Sequence, residues 1–576
     1  MTETVRTRWY RRDPRELTVL LHYASLAAAF ALLLWLDHKH WFIGDEWSTL
    51  VDRKLGGGAG VSGIWEPHNE HWSTIPVVVY RALFTVFGVR TYIPYVVVLL
   101  LVHLAIVHLL WRLMLRLGVD ALLATVLCGA FAVLGAGGDN LSLAWQMQLV
   151  APIATGLGAL LLAPAHGDLG RRDLCVSLLL LAGLMCSGVG LTMMAVVGLV
   201  ALLRRGWKVA LGTVALPAVA YAVWYLAYGR DAGSQNPDSL STAVQKVPEY
   251  VWRGLTDAVD GTFGLSGIGP AVLAALAVWL VLRARADDSR WDVPLAMAAG
   301  AVLFLALTDL RRSGLGIDTA GTSRYVYVVV ALLLPAGALA LDALLARSAL
   351  RLPAVVALAA LLLAVQLPEL NRVADHWTVI DRSVKSRVLG SAALAREGQG
   401  FLSVLPVPEY MPGLTVDKIR KLSEDGKLPG GRVTERERLD AALYTQVASY
   451  PGSARRKPEA APALALAGDA TVEPGSSAAC RKVVPEGQNP GVLVQVDEPG
   501  SVIVRTGKTE PLRLSLWRGD VASQARRIDA VAGVPVRIRA AVHGLALGVG
   551  VPVSGVTEIC GLATSSPRHL DPVRRS

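Results

Sequence analysis

Apolar residues recur along this chain in long unbroken runs, not in the alternation of a half-exposed sheet. Runs near 18–36, 92–111, 119–136, 143–163, 173–186, 188–203, 208–228, 267–284, 293–309, 323–344 and 353–368 each predict a helix. The eleven together predict a polytopic α-helical membrane protein, because a closed helix satisfies its own backbone in lipid. The runs 173–186 and 188–203 are short for a crossing and read as a hairpin turning near Ser187 and Gly188. After about 370 the pattern changes. Residues 377–450 carry helical spacing, as in TVDKIRKLSEDGK, and 451–476 form a Pro/Ala/Gly-rich linker. From 480 come short β-branched runs with turn signals: GVLVQVDEPG, SVIVRTG, PLRLSLWRG and VPVRIRAAV. The expected order is a transmembrane domain over 1–370, a helical segment over 371–450, the linker, and a β-sandwich over 477–576.

Composition agrees with the pattern: 53% of the 576 residues are hydrophobic and only 18% charged, against roughly 45–50% apolar in soluble domains. A net charge of +10 would suggest nucleic acid in a soluble protein. Here it reads as basic cytoplasmic loops and contact with anionic membrane lipid, and no nucleic-acid-binding motif is visible. Arg11 and Arg12, Arg112 and Arg116, Arg171 and Arg172, Arg204 and Arg205, Arg283 and Arg285, and Arg347 and Arg351 fall on one side if the N-terminus is cytoplasmic. Eleven spans then put the C-terminal region outside. The first run lacks a small-residue cleavage site and reads as an uncleaved span of a multi-pass plasma-membrane protein. Cys480 and Cys560 are the two cysteines of the polar C-terminal third, which suggests one disulfide and an oxidising compartment. Cys128, Cys175 and Cys186, in or beside apolar runs, read as inert thiols.

Three polar constellations carry candidate chemistry. In the first outer loop, FIGDEWSTL sets Asp45 and Glu46 beside Trp47, and WEPHNEHWSTIP follows a glycine-rich GGGAGVSG. The second stretch offers Glu66, His68, Asn69, Glu70 and His71 between Trp65 and Trp72. Were a helix to start at Pro67, His68 and His71 would share a face. Three readings stay open: a polar loop capping a re-entrant helix, a metal site of His68, His71 and Glu70, or a polar substrate site with indole stacking surfaces. The second constellation, TDLRRSGLGIDTAGTSRYVYV, places Arg311, Arg312 and Arg324 at the outer surface. They either bind a phosphate, for which Arg offers bidentate donors, or pair with Asp309, Asp318 or lipid headgroups. In the third, GAGGDNLSLAWQMQL, Asp139 and Asn140 lie in the second outer loop while Trp145, Gln146 and Gln148 enter a span. These bond between helices or line a substrate groove. No P-loop, GxSxG, CxxC pair or HExxH is present, which removes support for a soluble kinase, hydrolase or zinc protease.

In layout the chain resembles the GT-C glycosyltransferases, integral membrane enzymes that use polyprenyl-phosphate-linked sugars, and among them the actinobacterial arabinosyl- and mannosyltransferases. The shared features are a cytoplasmic N-terminus, an acidic pair after the first span, a long first outer loop, many spans and an extracytoplasmic C-terminal domain. The resemblance implies sugar transfer with inversion from a polyprenyl-phosphate donor to an envelope glycan or lipid acceptor, serving cell-wall biogenesis. It maps the family's general base onto Asp45 with Glu46 beside it, and the lipid phosphate onto Arg311, Arg312 or Arg324. Asp139 stands where the family often has a further acid, and Glu66, His68, Glu70 and His71 leave a divalent metal (Mg, Mn or Ca) open. By its location alone, the C-terminal sandwich would bind acceptor glycan or position it over the site. Two other functions compete: a transporter or flippase of lipid-linked sugars, which predicts ionisable groups near the bilayer midplane, and a non-catalytic envelope assembly protein.

Overall fold

The computed structural model describes residues 14–52, 63–230, 232, 240–284, 291–398, 402–411, 413–452 and 460–562. Most of GGGAGVSG, all of SQNPDS, and Arg11, Arg12 and Arg285 lie outside these residues. The first helices are α1 (Pro14–Asp37), α2 (Asp45–Asp52), α3 (Thr74–Phe87), α4 (Ile93–Arg116), α5 (Ala121–Ala132) and α6 (Asp139–Ser142). Next come α7 (Met147–Leu162), α8 (Arg171–Leu184), α9 (Val189–Arg205), α10 (Trp207–Trp224), α11 (Leu240–Phe263) and α12 (Gly269–Ala284). The last are α13 (Asp292–Arg312), α14 (Ser323–Leu345), α15 (Arg351–Arg396), α16 (Val416–Glu424) and α17 (Glu435–Thr445).

Every one of the eleven apolar runs is helical. Among the described residues seven helical stretches are long and apolar enough to cross a membrane: α1, α4, α7 with the turn before it (Ala144–Leu162, 19 residues), α10 with the turn after it (Trp207–Gly229, 23 residues), α13, α14 and α15. The others are shorter, at 12 residues for α5, 14 for α8, 17 for α9 and 16 for α12, where a perpendicular crossing takes about 20. Local chemistry sets several ends. Asp120 Oδ1 accepts the Leu122 and Leu123 amides, each at 3.1 Å, and so caps α5. Gly206, at φ 84°, ends α9 just after Arg204 and Arg205, and Arg205 donates to the Asp173 carboxylate at the start of α8 at 2.6 Å.

Two segments differ from expectation. The stretch between the runs 208–228 and 267–284, where no element was expected, contains α11, whose 24 residues are too polar to stand out as an apolar run. The last apolar run does not end its helix: α15 continues for 46 residues, passing Pro368, because NRVADHWTVIDRSVKSRVLGSAALAR is rich in good helix formers.

The chain divides into two compact units. The first comprises Met1–His40, Gly58–Val86 and Tyr92–Val379; the second comprises Trp41–Gly57, Phe87–Thr91 and Ile380–Ser576. In the first, His103 is fully buried and bonded at both ring nitrogens, to the Tyr327 hydroxyl (2.8 Å) and the Ala132 carbonyl (3.0 Å). Gly135 is packed so closely that a Cβ would lie 2.3 Å from the Gln366 carbonyl of α15. An apolar groove of about 470 Å³ opens among α5, α11, α12, α14 and α15, with Gln366 in its lining.

The second unit carries twelve strands: β1 (Val447–Pro451), β2 (Leu464–Leu466), β3 (Ala470–Pro474), β4 (Cys480–Pro485), β5 (Gly491–Val496), β6 (Gly500–Thr506), β7 (Leu512–Arg518), β8 (Val521–Ala522), β9 (Arg526–Ile528), β10 (Val536–Ala540), β11 (Leu545–Gly550) and β12 (Thr557–Leu562). They form two antiparallel sheets, ordered β1-β10-β6-β12-β4-β3 and β2-β5-β11-β7-β8, with β9 also on β7. Strands β1, β2 and β3 begin before 477, so the stretch read as a linker contributes to both sheets. Its Pro/Ala/Gly composition hides strands of three to five residues. Both sheets and α17 share one core, in which Val504 and Ile538 of one sheet, Leu514 and Leu547 of the other, and Leu439 and Leu443 cluster. Cys480 and Cys560, opposite each other on β4 and β12, are disulfide-bonded.

Candidate functional site

The stretch from Trp65 to Thr74 builds a site in the first unit, and it does so with a hairpin where a helix was considered. His68 and His71 exchange both backbone hydrogen bonds at 2.9 Å. Between them Asn69 takes φ 50°, a left-handed conformation that Asn tolerates better than most side chains. Neighbouring side chains pin the turn down. The Trp72 ring stacks on Trp224 of α10 at 5.3 Å, and its indole N–H donates to Thr74 Oγ1. Trp224 in turn donates to the Trp65 carbonyl at 2.8 Å, and Ser73 donates to Gln148 of α7 at 3.2 Å. Gly188, between α8 and α9, leaves the room that His71 occupies, since a Cβ there would lie 3.2 Å from Nδ1.

The turn presents Glu70 to the end of α13. Arg312 donates from Nε (3.0 Å) and Nη2 (2.9 Å) to Glu70 Oε1, and from Nη1 to the Tyr325 hydroxyl of α14 at 3.1 Å. His71 Nε2 lies 3.7 Å from the same carboxylate. Burial pushes the Glu70 carboxyl up, but the charges of His71 and Arg312 and the hydrogen bonds it accepts outweigh that, so it titrates below the ordinary carboxylate value. A carboxylate held this way binds and orients well but is a poor proton acceptor. Arg311, by contrast, has no ion pair or hydrogen bond among the described residues. The cluster therefore offers an anchored carboxylate, one engaged and one uncommitted guanidinium, a phenol and, on Trp65, an exposed indole beside the buried Trp72–Trp224 stack, which suit a polar ligand bearing an anionic group.

The remaining candidates sort by environment. His68 is buried, with its ring edge-on to Trp145 at 5.1 Å; Glu66 and Asn69 are exposed and Gln146 is buried. Among the described residues, the one group of three or more potential ligands with converging donor atoms is Cys480, Glu558 and Cys560, and its cysteines are joined to each other. Of the three candidate metal ligands, His71 and Glu70 approach each other to 3.7 Å, and His68 does not form a group of three with them. Arg324 does not join Arg312. Its Nε lies 3.8 Å from Asp139, whose other oxygen accepts the Trp377 indole N–H at 2.9 Å. Asn140 is buried and donates to the Arg324 carbonyl.

Asp45 and Glu46 belong to the second unit, and the structure separates their roles. Glu46 is 2% exposed and its carboxylate accepts the Ile43 amide at 2.9 Å while its own amide donates back to the Ile43 carbonyl. That reciprocal pair closes the first turn of α2. Trp47 is core, donating to the Phe42 carbonyl and packed on Trp41 and Phe42. Asp45 remains partly exposed.

Sequence reasoning passed over Trp224, Trp377 and Tyr221, whose ring lies 6.3 Å from that of Trp72, as site residues. The YAVWYLAY ending of α10 carried a signal, aromatic residues at helical spacing where an apolar run stops. Nothing local pointed to Trp377. No family model, curated protein or solved structure matches the chain. What stands without inference is the class: a largely helical protein with seven membrane-length apolar helices and a C-terminal region of β-sheet.

Proposed function

We propose that this protein is an inverting membrane glycosyltransferase of GT-C type, moving a sugar from a polyprenyl-phosphate donor to an envelope glycan or lipid acceptor on the extracytoplasmic face. The observation that carries the proposal is the Glu70–Arg312–Tyr325 cluster, with Arg311 uncommitted beside it and Trp72 stacked on Trp224 next to it, at the ends of apolar helices. A sugar phosphate on a lipid has the matching parts: hydroxyls for Glu70 and Tyr325, a ring for the exposed indole of Trp65, a phosphate for Arg311. The apolar groove lined by α5, α11, α12, α14 and α15 suits an isoprenoid tail. The membrane domain is read as eleven crossings with the C-terminal region outside, and the two sheets with their shared core as a β-sandwich.

In this mechanism the acceptor oxygen attacks the anomeric carbon as its proton passes to a first-loop carboxylate, of which Asp45 is the first to test. The bond from that carbon to the phosphate oxygen breaks, and the electron pair leaves on the polyprenyl phosphate. A carboxylate base suits an acceptor whose hydroxyl is a weak nucleophile until deprotonated. Positive charge fixed at Arg311 stabilises the phosphate as negative charge grows on it. Glu46 is assigned to closing the α2 turn, and Glu70 to binding and positioning. No step runs through a metal.

The test is sugar transfer in membranes given radiolabelled polyprenyl-phosphate sugars, comparing the wild-type chain with Asp45→Asn and Arg311→Ala at matched expression. Asp45→Asn should abolish transfer with donor still bound, and Arg311→Ala should weaken donor binding. Transfer unchanged in Asp45→Asn removes that residue as base. If the wild-type chain transfers from no donor, the enzyme reading falls and flipping of the same lipids is the assay that follows.

A further inference from the structure

The second unit, expected from its location to hold glycan, contains a cleft that no step of the proposed transfer uses. It has a volume of about 360 Å³ and lies on the outward face of the sheet containing β5, β7, β9 and β11. Strand alternation sends Leu512, Leu514 and Leu516 of β7 inward to the core and leaves Arg513, Ser515 and Trp517 on the other face.

Its floor is built from absent side chains. A Cβ on Gly548 would meet Ser515 Oγ at 2.3 Å and Trp517 Nε1 at 2.7 Å, so this glycine lets the indole lie down along the sheet. There Trp517 donates to Ser515 Oγ at 2.8 Å and lines the cleft. In the next row across the strands, Arg527 pairs with Arg513, Arg513 with Gly550, and Gly550 with Gly491. Two arginines therefore stand directly opposite each other beside a glycine floor. Like charges in that relation destabilise a sheet, yet neither guanidinium has an ion pair or hydrogen bond among the described residues. Glu510 also lines the cleft, leaving an excess of positive charge, and Gln488 and Asn489 add amides on the rim.

We propose that this cleft is a binding site for an acidic saccharide, a sugar ring lying on Trp517 with its carboxylate or other anionic substituent held between Arg513 and Arg527. The indole offers an apolar face of about the breadth of a sugar ring. The guanidinium forks match a carboxylate in geometry as well as charge, and the amides suit ring hydroxyls. The site stands on the second unit alone, so its failure leaves the transferase reading untouched, and the reverse holds.

The test is isothermal titration of the purified full-length protein in lipid nanodiscs with trigalacturonate, maltotriose and inorganic phosphate as separate probes. Trigalacturonate should bind at least about tenfold more tightly than either other probe, a difference that two charge-assisted contacts readily supply. Arg513→Gln with Arg527→Gln should erase that preference, and Trp517→Ala should weaken binding of the acidic sugar. The arginines are exposed, so the double variant should keep the fold, which circular dichroism checks. Absence of trigalacturonate binding, equal binding of maltotriose, equal binding of phosphate, or indifference to the arginine substitutions each overturns the proposal.

Discussion

Arg312 reaches Glu70 across 242 positions of sequence, and that pairing defines the candidate site more than any single motif does. Removing one partner of a fully buried pair costs about 3–5 kcal/mol. Because the two side chains are 20% and 10% exposed, Arg312→Ala should cost roughly 2–3 kcal/mol by the same reasoning. Glu70→Gln introduced into that background should then cost much less than it does alone, since the two residues are coupled. Thermal unfolding of the purified chain in detergent measures both, and additive losses would dismiss the pair as a unit. The same carboxylate sets a pH dependence. Its titration is lowered by folding, so its contribution is intact at neutral pH and is lost as pH falls past the ordinary carboxylate value and through the lowered one. Wild type should lose more stability than Glu70→Gln as pH falls from about 5 to about 3. The members of this site were legible as residue types, because acids, imidazoles and indoles crowded into twelve residues are conspicuous. Their partners were not. Arg312 has Asp309 and Asp318 close in sequence, and only the fold selects Glu70.

Elements show the same division. Apolar runs reported helices faithfully because burial and lipid both demand long apolar stretches, whereas α11 and the second half of α15 depend on propensity and packing and left no such mark. In HNEH, the Asn was a turn signal that the helical spacing of the two histidines obscured. Glycines test how tightly the helices meet. Gly135→Ala would force a Cβ against the backbone of α15, 2.3 Å from the Gln366 carbonyl and 2.5 Å from the Leu370 amide. It should cost about 2–3 kcal/mol, as overpacking does where nothing flexible can yield. Gly337, in the middle of α14, has open space around its Cβ position, so Gly337→Ala should stabilise by up to about 1 kcal/mol through helix propensity alone. Melting curves of the two variants should move in opposite directions. Stabilisation by Gly135→Ala would remove its close approach to α15, and destabilisation by Gly337→Ala would remove the open space around that position.

For the molecule as a whole, the disulfide joins cysteines 80 positions apart, and a closed loop of that length is worth about 4 kcal/mol in the chain-entropy account. Replacing both Cys480 and Cys560 by Ser should make the second unit markedly more sensitive to proteolysis on heating, as should a reductant acting on the wild-type chain. Equal protease resistance with and without the bond would show that the sheets hold without it. The second unit is also drawn from three separate stretches of chain: Trp41–Gly57, Phe87–Thr91 and everything from Ile380 onward. Within it the Trp41 amide donates to Asp381 and its indole to the Val89 carbonyl, while the Val89 amide donates to the Lys427 carbonyl. Such a unit is not a cassette that recombination can pass between genes by cutting at one place. A fragment beginning at 380 would arrive without the Trp41 that Asp381 holds, and a chain stopped at 379 would keep that tryptophan with its partner gone. Inheritance of the two units should therefore be joint, since the stretch around Trp41 and the stretch after Ile380, more than three hundred codons away, complete one fold.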